Sequence, residues 1–385
     1  MYPRNIDLPT NNSFFLFGPR GVGKSTIIRD RYPDALCFDL LHFQTYRELL
    51  ADPSSLERRL KSHNPKKFIV LDEIQKIPEL LNEVHRLIES PKHYKFILTG
   101  SSARKLRRQG VNLLAGRAYL NYLHPLTASE IGEDFDLKKA LQYGLLPAIY
   151  QDVNPASRLQ SYVGTYLQEE IIQEGLTRNL TAFSKFLQVA SFSVGSLVNT
   201  TNIAREVWVD RKVVENYFTI LEDLMLGVRI PVFARRAKRQ IVTHPKFYFF
   251  DTGVYQAVRP TGPLDISSEI GGPALENLFF QHLVATNDNL KLGYQFSFFR
   301  TISGQEIDFV AYGKNGFFAF EIKLGAGFSP SWTRALTSFG KDYPEAKLYL
   351  IYTGSTTLYH NNITILPVET ALKTLTDILT SSHLS

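Results

Sequence analysis

The chain is poor in cysteine, methionine and tryptophan, and it has no long apolar run. Its 385 residues include one cysteine, Cys37, two methionines and two tryptophans. A single cysteine excludes an internal disulfide framework and a cysteine-rich zinc site, as suits a reducing compartment. Its apolar runs, such as 68–71 and 317–320, have the length of strands and predict no membrane span. The first residues lack the apolar segment of a signal peptide, so we expect a cytoplasmic protein that does not contact a membrane.

What is present is the composition of an ordinary globular protein. Hydrophobic residues make up 44% and charged residues 21% of the chain, which is enough to bury real cores. The length predicts two or three domains. The net charge of +6 and the pI of about 9.1 mildly favour anionic partners such as nucleic acid. Local clusters of charge have to decide whether such a partner applies.

A phosphate-binding loop is the clearest motif. Residues 14–26 read FFLFGPRGVGKST, which fits the pattern G-x-x-x-x-G-K-[ST]. An apolar run precedes the pattern and a helix-forming segment follows it, which is the context that the motif requires. Backbone N–H groups would surround the phosphates of ATP, with Lys24 at the β- and γ-phosphates and Ser25 as a Mg²⁺ ligand. The predicted nucleotide-binding residues of this segment are Gly18, Pro19, Arg20, Gly21, Val22, Gly23, Lys24, Ser25 and Thr26.

A second apolar run, FIVLDE at 68–73, ends in two carboxylates. The run predicts a buried strand beside the one that precedes the loop, in one doubly wound sheet. We expect Asp72 to hold the Mg²⁺ shell and Glu73 to act catalytically by polarising the attacking water. Alternatively, either carboxylate caps the following helix, and both interpretations can hold together.

A third run, FILTGSS, predicts another strand with polar residues at its carboxyl end, where ligands of such sheets bind. Ser101, in preference to Thr99, is expected to contact the γ-phosphate or the water, or else to cap the next helix. The segment 102–117 holds five basic residues and no acidic one. Arg117 is a candidate arginine finger that acts on a neighbouring subunit, and the alternative is a solvated basic surface.

GPRGVGKST, FIVLDEIQ, ILTGSS, LLAGRA and HPLTASEIG occur in this order. Together they resemble bacterial and archaeal AAA+-type ATPases that are fused to a C-terminal domain of long-unknown function. The resemblance implies ATPase activity, adenine as the base and homo-oligomers that are often rings. It covers nearly the whole chain.

The middle of the chain predicts helices and then a winged helix. Residues 125–180 predict a helical lid or linker. In 181–258, two helices precede two strands around a basic turn, and the resemblance also implies a winged helix here. Candidate DNA-binding residues begin the second helix or lie in the turn: Arg211, Lys212, Arg235, Arg236, Lys238 and Arg239. Alternatively, the winged helix serves as a lid or a protein contact, with a solvated basic loop.

The C-terminal part holds a constellation of Glu276, Asp308, Glu321 and Lys323. Its order resembles the PD-(D/E)xK nucleases, and within them the Holliday-junction-resolvase-like branch. Three carboxylates can bind Mg²⁺ or Mn²⁺, which activates water, and Lys323 can orient that water. We therefore expect Glu276, Asp308 and Glu321 to converge as metal ligands, with Asp308, Glu321 and Lys323 acting catalytically. The alternatives are a surface ion pair of Glu321 with Lys323, or a nuclease fold that binds without cutting.

The sequence thus predicts an α/β protein of four parts. These are a P-loop ATPase domain with a doubly wound parallel sheet, a helical lid, a winged helix and a restriction-endonuclease-like domain, over residues 1–124, 125–180, 181–258 and 259–385. The predicted function is an ATPase that binds DNA and has a metal-dependent phosphodiesterase site that could act on branched DNA. The alternatives are an ATP-switched DNA-binding or defence scaffold with an inert nuclease fold, and a protein-remodelling ATPase.

Overall fold

The computed structural model describes residues 2–62, 64–101, 106, 114, 116–167, 179–234, 244–262 and 267–381. The chain divides into two compact units. The N-terminal unit comprises residues 4–124 with 223–225, and the C-terminal unit comprises the rest. Within the described ranges, no helix combines the length and the apolar character needed to span a bilayer.

The N-terminal unit is built on a parallel sheet. Its strands are β1 (Phe14–Phe17), β2 (Leu36–Asp39), β3 (Phe68–Asp72), β4 (Lys95–Gly100) and β5 (Tyr119–Tyr122). They run in the order β2-β3-β4-β1-β5, and every pairing is parallel. The strands β1, β3 and β4 are the three predicted apolar runs. They are apolar almost throughout because a parallel sheet is covered on both faces.

Among the described residues of this unit, four α-helices accompany the sheet, and the loop before the first one is the predicted phosphate-binding loop. The helices are α1 (Lys24–Arg31), α2 (Phe43–Ala51), α3 (Ser55–Arg59) and α4 (Leu80–Glu89). A 3₁₀ turn, Ile74–Lys76, separates β3 from α4. Neither Asp72 nor Glu73 therefore caps the helix that follows, because α4 begins only at Leu80.

The C-terminal unit opens with helices. These are α5 (Ala128–Ile131), α6 (Leu137–Tyr143), α7 (Pro147–Tyr150), α8 (Pro155–Ser161), a π-helix (Tyr162–Leu167), α9 (Leu180–Ser191), α10 (Thr200–Val207) and α11 (Arg211–Asp223). Two antiparallel strands follow, β6 (Gly227–Ile230) and β7 (Lys246–Phe249), and then α12 (Thr252–Val258). Two helices and a two-stranded ribbon thus occur in the predicted order, and their assignment to a winged helix stays a prediction.

A mixed sheet dominates the last part of this unit. Its strands are β8 (Gln295–Arg300), β9 (Glu306–Gly313), β10 (Gly316–Lys323), β11 (Lys347–Tyr352), β12 (Leu358–His360) and β13 (Ile363–Pro367). Its order is β12-β13-β11-β10-β9-β8. The accompanying helices are α13 (Ser267–Asn289), α14 (Arg334–Asp342), α15 (Val368–Lys373) and α16 (Leu375–Thr380). The strands β8 to β10 form an antiparallel meander, and β10, β11 and β13 are parallel.

The segment after β6 joins this mixed sheet. The Phe298 N–H donates to the Pro231 carbonyl at 3.1 Å, and the Phe233 N–H donates to the Phe298 carbonyl at 2.6 Å. Phe233 is buried against Phe317 and Tyr343 in the core of the sheet. Backbone pairing and core packing thus cross the predicted boundary at 258/259. The four-part division stays a prediction.

Candidate functional site

Glycine fixes the shape of the phosphate-binding loop at two positions. Gly23 adopts φ 97°, a left-handed conformation, at the start of α1. A Cβ atom at Gly18 would lie 2.3 Å from the carbonyl oxygen of Leu123. A side chain at position 23 would be strained, because only glycine adopts this φ freely. A side chain at position 18 would displace the backbone of Leu123. The loop therefore keeps its backbone N–H groups at the amino end of α1, where an anion is stabilised.

Lys24 begins α1 and its side chain lies along the loop. Its ammonium donates to the carbonyl of Gly18 at 2.6 Å and to that of Pro19 at 3.2 Å. The residue is 8% exposed. The charge is thus held against the backbone of the loop that is predicted to surround the phosphates.

The hydroxyls of Ser25 and Thr99 both reach the carboxylate of Asp72. Ser25 Oγ donates to Asp72 Oδ2 at 3.3 Å, and Thr99 Oγ1 donates to Oδ1 of the same carboxylate. Thr99 Oγ1 also accepts from the Glu73 N–H at 3.2 Å. Ser25 and Asp72 offer the hard oxygen atoms that Mg²⁺ prefers, so these residues fit the ion predicted here. The sequence favoured Ser101 over Thr99, whereas in the structure Thr99 contacts the carboxylate of Asp72 and the backbone N–H of Glu73.

Glu73 is held by a glutamine that sequence reasoning missed. The Nε2 atom of Gln75 lies 2.5 Å from Glu73 Oε2 and 3.2 Å from Ser101 Oγ. Gln75 is 4% exposed, and Glu73 adopts φ 61°, which is uncommon for a residue with a side chain. The sequence signal for Gln75 was its place directly after Ile74 in LDEIQ, beside a buried strand. An amide that is buried there requires hydrogen-bond partners.

Arg117 lies on the surface of the same unit. Its guanidinium contacts Glu89, with Nη2 at 2.5 Å and Nε at 2.6 Å from Oε1. This hydrogen bond lowers the pKa of Glu89. The role of Arg117 as a finger in a neighbouring subunit stays a prediction.

The C-terminal unit contains a second group of acids, which we call the carboxylate cluster: Glu276, Glu306, Asp308 and Glu321. Glu276 comes from α13, Glu306 and Asp308 from β9, and Glu321 from β10. The three predicted carboxylates therefore share one region of the unit. Burial is the main cause that raises the pKa of Glu276 to about 8, and repulsion from Asp308 adds to it. Burial and repulsion from Asp308 also raise the pKa of Glu321.

A lysine ammonium enters this cluster. Lys246, whose side chain is 0% exposed, contacts Glu306, and its Nζ atom lies 3.5 Å from Asp308 Oδ1 and 3.9 Å from Glu276 Oε2. Burial opposes the charge of Lys246, but Asp308 and the two glutamates raise its pKa. Tyr248, on the same strand, donates to Glu276 Oε2 at 3.0 Å. One signal was present in the sequence, since a lysine in the apolar strand KFYFFD needs a buried partner.

Lys323 and Asp308 also contact neighbouring residues. Lys323 Nζ lies 2.6 Å from Glu321 Oε1, and Asp308 Oδ2 accepts from the Ile322 N–H at 2.8 Å. Among the residues that the structure describes, no group of three or more acidic, histidine or cysteine side chains is arranged to hold a metal ion. In this arrangement the carboxylates do not fit the predicted Mg²⁺ or Mn²⁺, because an ammonium lies where the ion would bind.

The candidate DNA-binding residues that can be described start α11. Arg211 and Lys212 are exposed, and Arg211 Nε donates to Thr200 Oγ1 at 3.2 Å. The nearby Arg229 pairs instead with Glu215 at 2.8 Å and with Glu222 at 2.7 Å. The other candidates lie outside the described residues: Arg235, Arg236, Lys238 and Arg239.

Three family models match successive parts of the chain. Residues 10–132 match an AAA domain, residues 134–267 a domain of unknown function, DUF8612, and residues 271–371 a domain of unknown function, DUF4143. A comparison with curated proteins found no significant match.

Several solved structures show weak similarity. The Thermotoga maritima RuvB Holliday junction branch migration motor is 16% identical over 57% of this chain and 82% of its own, with a TM-score of 0.28. The replication initiator DnaA bound to AMPPCP and single-stranded DNA is 12% identical over 55% and 82%, with a TM-score of 0.29. A Vibrio cholerae protein is 11% identical over 96% and 97%, with a TM-score of 0.23. Scores this low support no functional argument.

The AAA match covers the residues that form the loop, the parallel sheet and the two acids at the end of β3. The order of the strands and the contacts among Ser25, Asp72 and Thr99 agree with it. Residues 10–132 are an AAA-type ATPase domain of the P-loop fold.

Proposed function

We propose that this chain hydrolyses ATP in its N-terminal unit and couples the reaction to DNA binding through α11. The observation that carries the first half is the contact of Ser25 and Thr99 with Asp72, beside Glu73. It supports the proposal that Ser25 and Asp72 hold Mg²⁺ beside a carboxylate that acts as general base.

Each residue has a distinct role in this proposal. The loop and Lys24 bind the phosphates, and Ser25 and Asp72 hold Mg²⁺, which neutralises phosphate charge when it is bound. Glu73 orients the attacking water and accepts its proton. Gln75 fixes the carboxylate of Glu73 in position.

Two substitutions test hydrolysis. Lys24→Ala should abolish ATP binding, because the loop then lacks its only lysine. Glu73→Gln should leave ATP bound but slow turnover by orders of magnitude, because only activation of the water is lost. Nucleotide binding and phosphate release are measured on the same protein. If Glu73→Gln hydrolyses ATP at the wild-type rate, Glu73 is not the general base.

DNA binding is favoured by the exposure of Arg211 and Lys212 at the start of a helix that follows a helix and a turn. Side chains at this position of a helix–turn–helix unit can reach a groove or the phosphate backbone.

We further propose a homo-oligomer in which Arg117 acts on the neighbouring subunit. The proposal predicts that ATP turnover per chain rises with protein concentration and that Arg117→Ala lowers it. Turnover that changes neither with protein concentration nor in Arg117→Ala would contradict the proposal.

Phosphodiester cleavage is not part of this proposal. It requires a metal that the carboxylates gather, and the ammonium of Lys246 lies among three of them. The candidate that fits this geometry is a DNA-binding ATPase whose nuclease-like fold is inert. An assay of branched, duplex and single-stranded DNA with Mg²⁺ or Mn²⁺, with and without ATP, tests it, and cleavage that depends on Asp308 would contradict it.

A further inference from the structure

The backbone around Lys246 is fixed on both sides. Lys246 pairs with Ile230 across the β6–β7 ribbon, and the Val198 N–H donates to the carbonyl of Pro245, immediately before it, at 2.8 Å. Three residues later, the Phe249 N–H donates to Asn277 Oδ1 at 2.8 Å, which attaches β7 to α13. Lys246 therefore lies beside the carboxylate cluster on a paired strand and not on a loop.

The carboxylate cluster lies beside three cationic side chains. The four carboxylates face Lys246 and Lys323, while Arg300 Nη1 lies 2.9 Å from Glu306 Oε2. Without Lys246, Asp308 and Glu276 would lose the cation that contacts them and would repel each other. An ammonium without a partner is equally unfavourable in a buried site, so each side requires the other.

A divalent ion and this ammonium exclude each other. Mg²⁺ and Mn²⁺ need carboxylate oxygens at about 2.0–2.2 Å with positive charge concentrated between them. Lys246 Nζ already contacts Glu306 and lies 3.5 Å from Asp308 Oδ1, so a metal on these oxygens would meet a buried like charge. The pairing of β7 with β6 holds the backbone of Lys246 beside these acids.

We propose that Lys246 is a built-in counter-ion that takes the place of a divalent metal in the carboxylate cluster. The cluster then assembles without any ion from solution. Removing the amine should convert it into a metal site, because the carboxylates remain and the competing charge is gone. The two states are distinguished by direct metal binding.

The first experiment compares Mn²⁺ binding to the wild-type protein and to Lys246→Met, both free of nucleotide. Binding is measured as the decrease of the electron paramagnetic resonance signal of free Mn²⁺. We expect the variant to bind one Mn²⁺ at least about 100-fold more tightly than the wild type, because one buried unit charge is removed. Adding Asp308→Asn to the variant should abolish the new site. Lys314→Met, an exposed lysine of the β9–β10 turn, is the matched control and should match the wild type.

A second experiment uses only wild-type protein, in case Lys246→Met does not fold. Lys246 is completely buried, so an amine-acylating reagent should leave it unlabelled by mass spectrometry while exposed lysines such as Lys314 react. Adding Mn²⁺ should leave this protection unchanged. The proposal is overturned if Mn²⁺ exposes Lys246 to the reagent, or if the wild type binds Mn²⁺ through Asp308 as tightly as Lys246→Met does. Because no nucleotide is present, neither result depends on whether ATP is hydrolysed.

Discussion

Gln75 Nε2 lies 2.5 Å from Glu73 Oε2, so a buried amide holds the carboxylate that we assign as the general base. The same amide group reaches Ser101 at the end of β4. Gly100 leaves room for it, since a Cβ atom there would lie 2.4 Å from Gln75 Oε1. Gln75 thus links the carboxyl ends of the adjacent strands β3 and β4, where we propose that ATP is hydrolysed.

Gln75→Met should lower kcat for ATP by about 10-fold or more while the Kd for ATP changes little, because the base loses its orientation but the loop stays intact. Steady-state turnover and nucleotide titration separate the two effects. Gln44→Met, at an exposed glutamine of α2, serves as the control and should behave like the wild type. A parallel loss of ATP affinity in Gln75→Met would indicate a role in binding instead.

Thr99→Val should raise the Mg²⁺ concentration needed for half-maximal hydrolysis by about 10-fold, since Asp72 loses a hydrogen bond that fixes its carboxylate. Ser101→Ala should have the smaller effect on Mg²⁺, because Ser101 contacts Gln75 and not Asp72. Initial rates over a Mg²⁺ series at saturating ATP provide the measurement. The reverse ranking would restore the preference for Ser101 that the sequence suggested.

Arg211→Ala with Lys212→Ala should weaken duplex DNA binding for all sequences and flatten its salt dependence. Each phosphate contact contributes a slope of about −0.9 in log K against log salt, so the double variant should lose up to about 1.8. Affinity is measured over a salt series. Lys138→Ala with Lys341→Ala removes the same charge from exposed positions elsewhere and should keep the slope. An unchanged slope in the first variant would assign α11 a structural role.

His282 should make the stability of the protein depend on pH. The Ala128 N–H donates to its Nε2 at 2.9 Å and its Nδ1 lies 2.7 Å from the Leu278 carbonyl, so the ring is neutral. Burial lowers its pKa from 6.5 to about 4. The unfolded chain therefore binds the proton first, and the stabilisation is complete above pH 6.5 and is lost as the pH falls toward 4.

The expected loss from His282 between pH 7 and pH 5 is about 2 kcal/mol in the free energy of unfolding. Denaturant titrations of the wild type and of His282→Gln at both pH values isolate this contribution, because other titrating groups are common to both. The wild type should lose about 2 kcal/mol more than the variant. Equal losses in the two proteins would mean that His282 is not held neutral in the fold.

The sequence by itself determined the position of the loop between β1 and α1. The residues of a phosphate-binding loop are consecutive, and a strand and a helix beside them fix their geometry locally, so Gly18 to Thr26 could be assigned without coordinates. Asp72 could also be assigned, because apolar runs predict neighbouring parallel strands and acids at their carboxyl ends then meet the loop. Sequence also indicated the convergence of Glu276, Asp308 and Glu321, through a resemblance to nucleases.

Only the tertiary structure decided what lies between those carboxylates. Lys246 precedes Asp308 by 62 positions and belongs to a different strand pair, so no local pattern links the two charges. The same applies to Thr99, whose contact with Asp72 depends on the pairing of β3 with β4. The electrostatic partner of a buried group depends on which elements pack against it, and packing brings together residues that are distant along the chain.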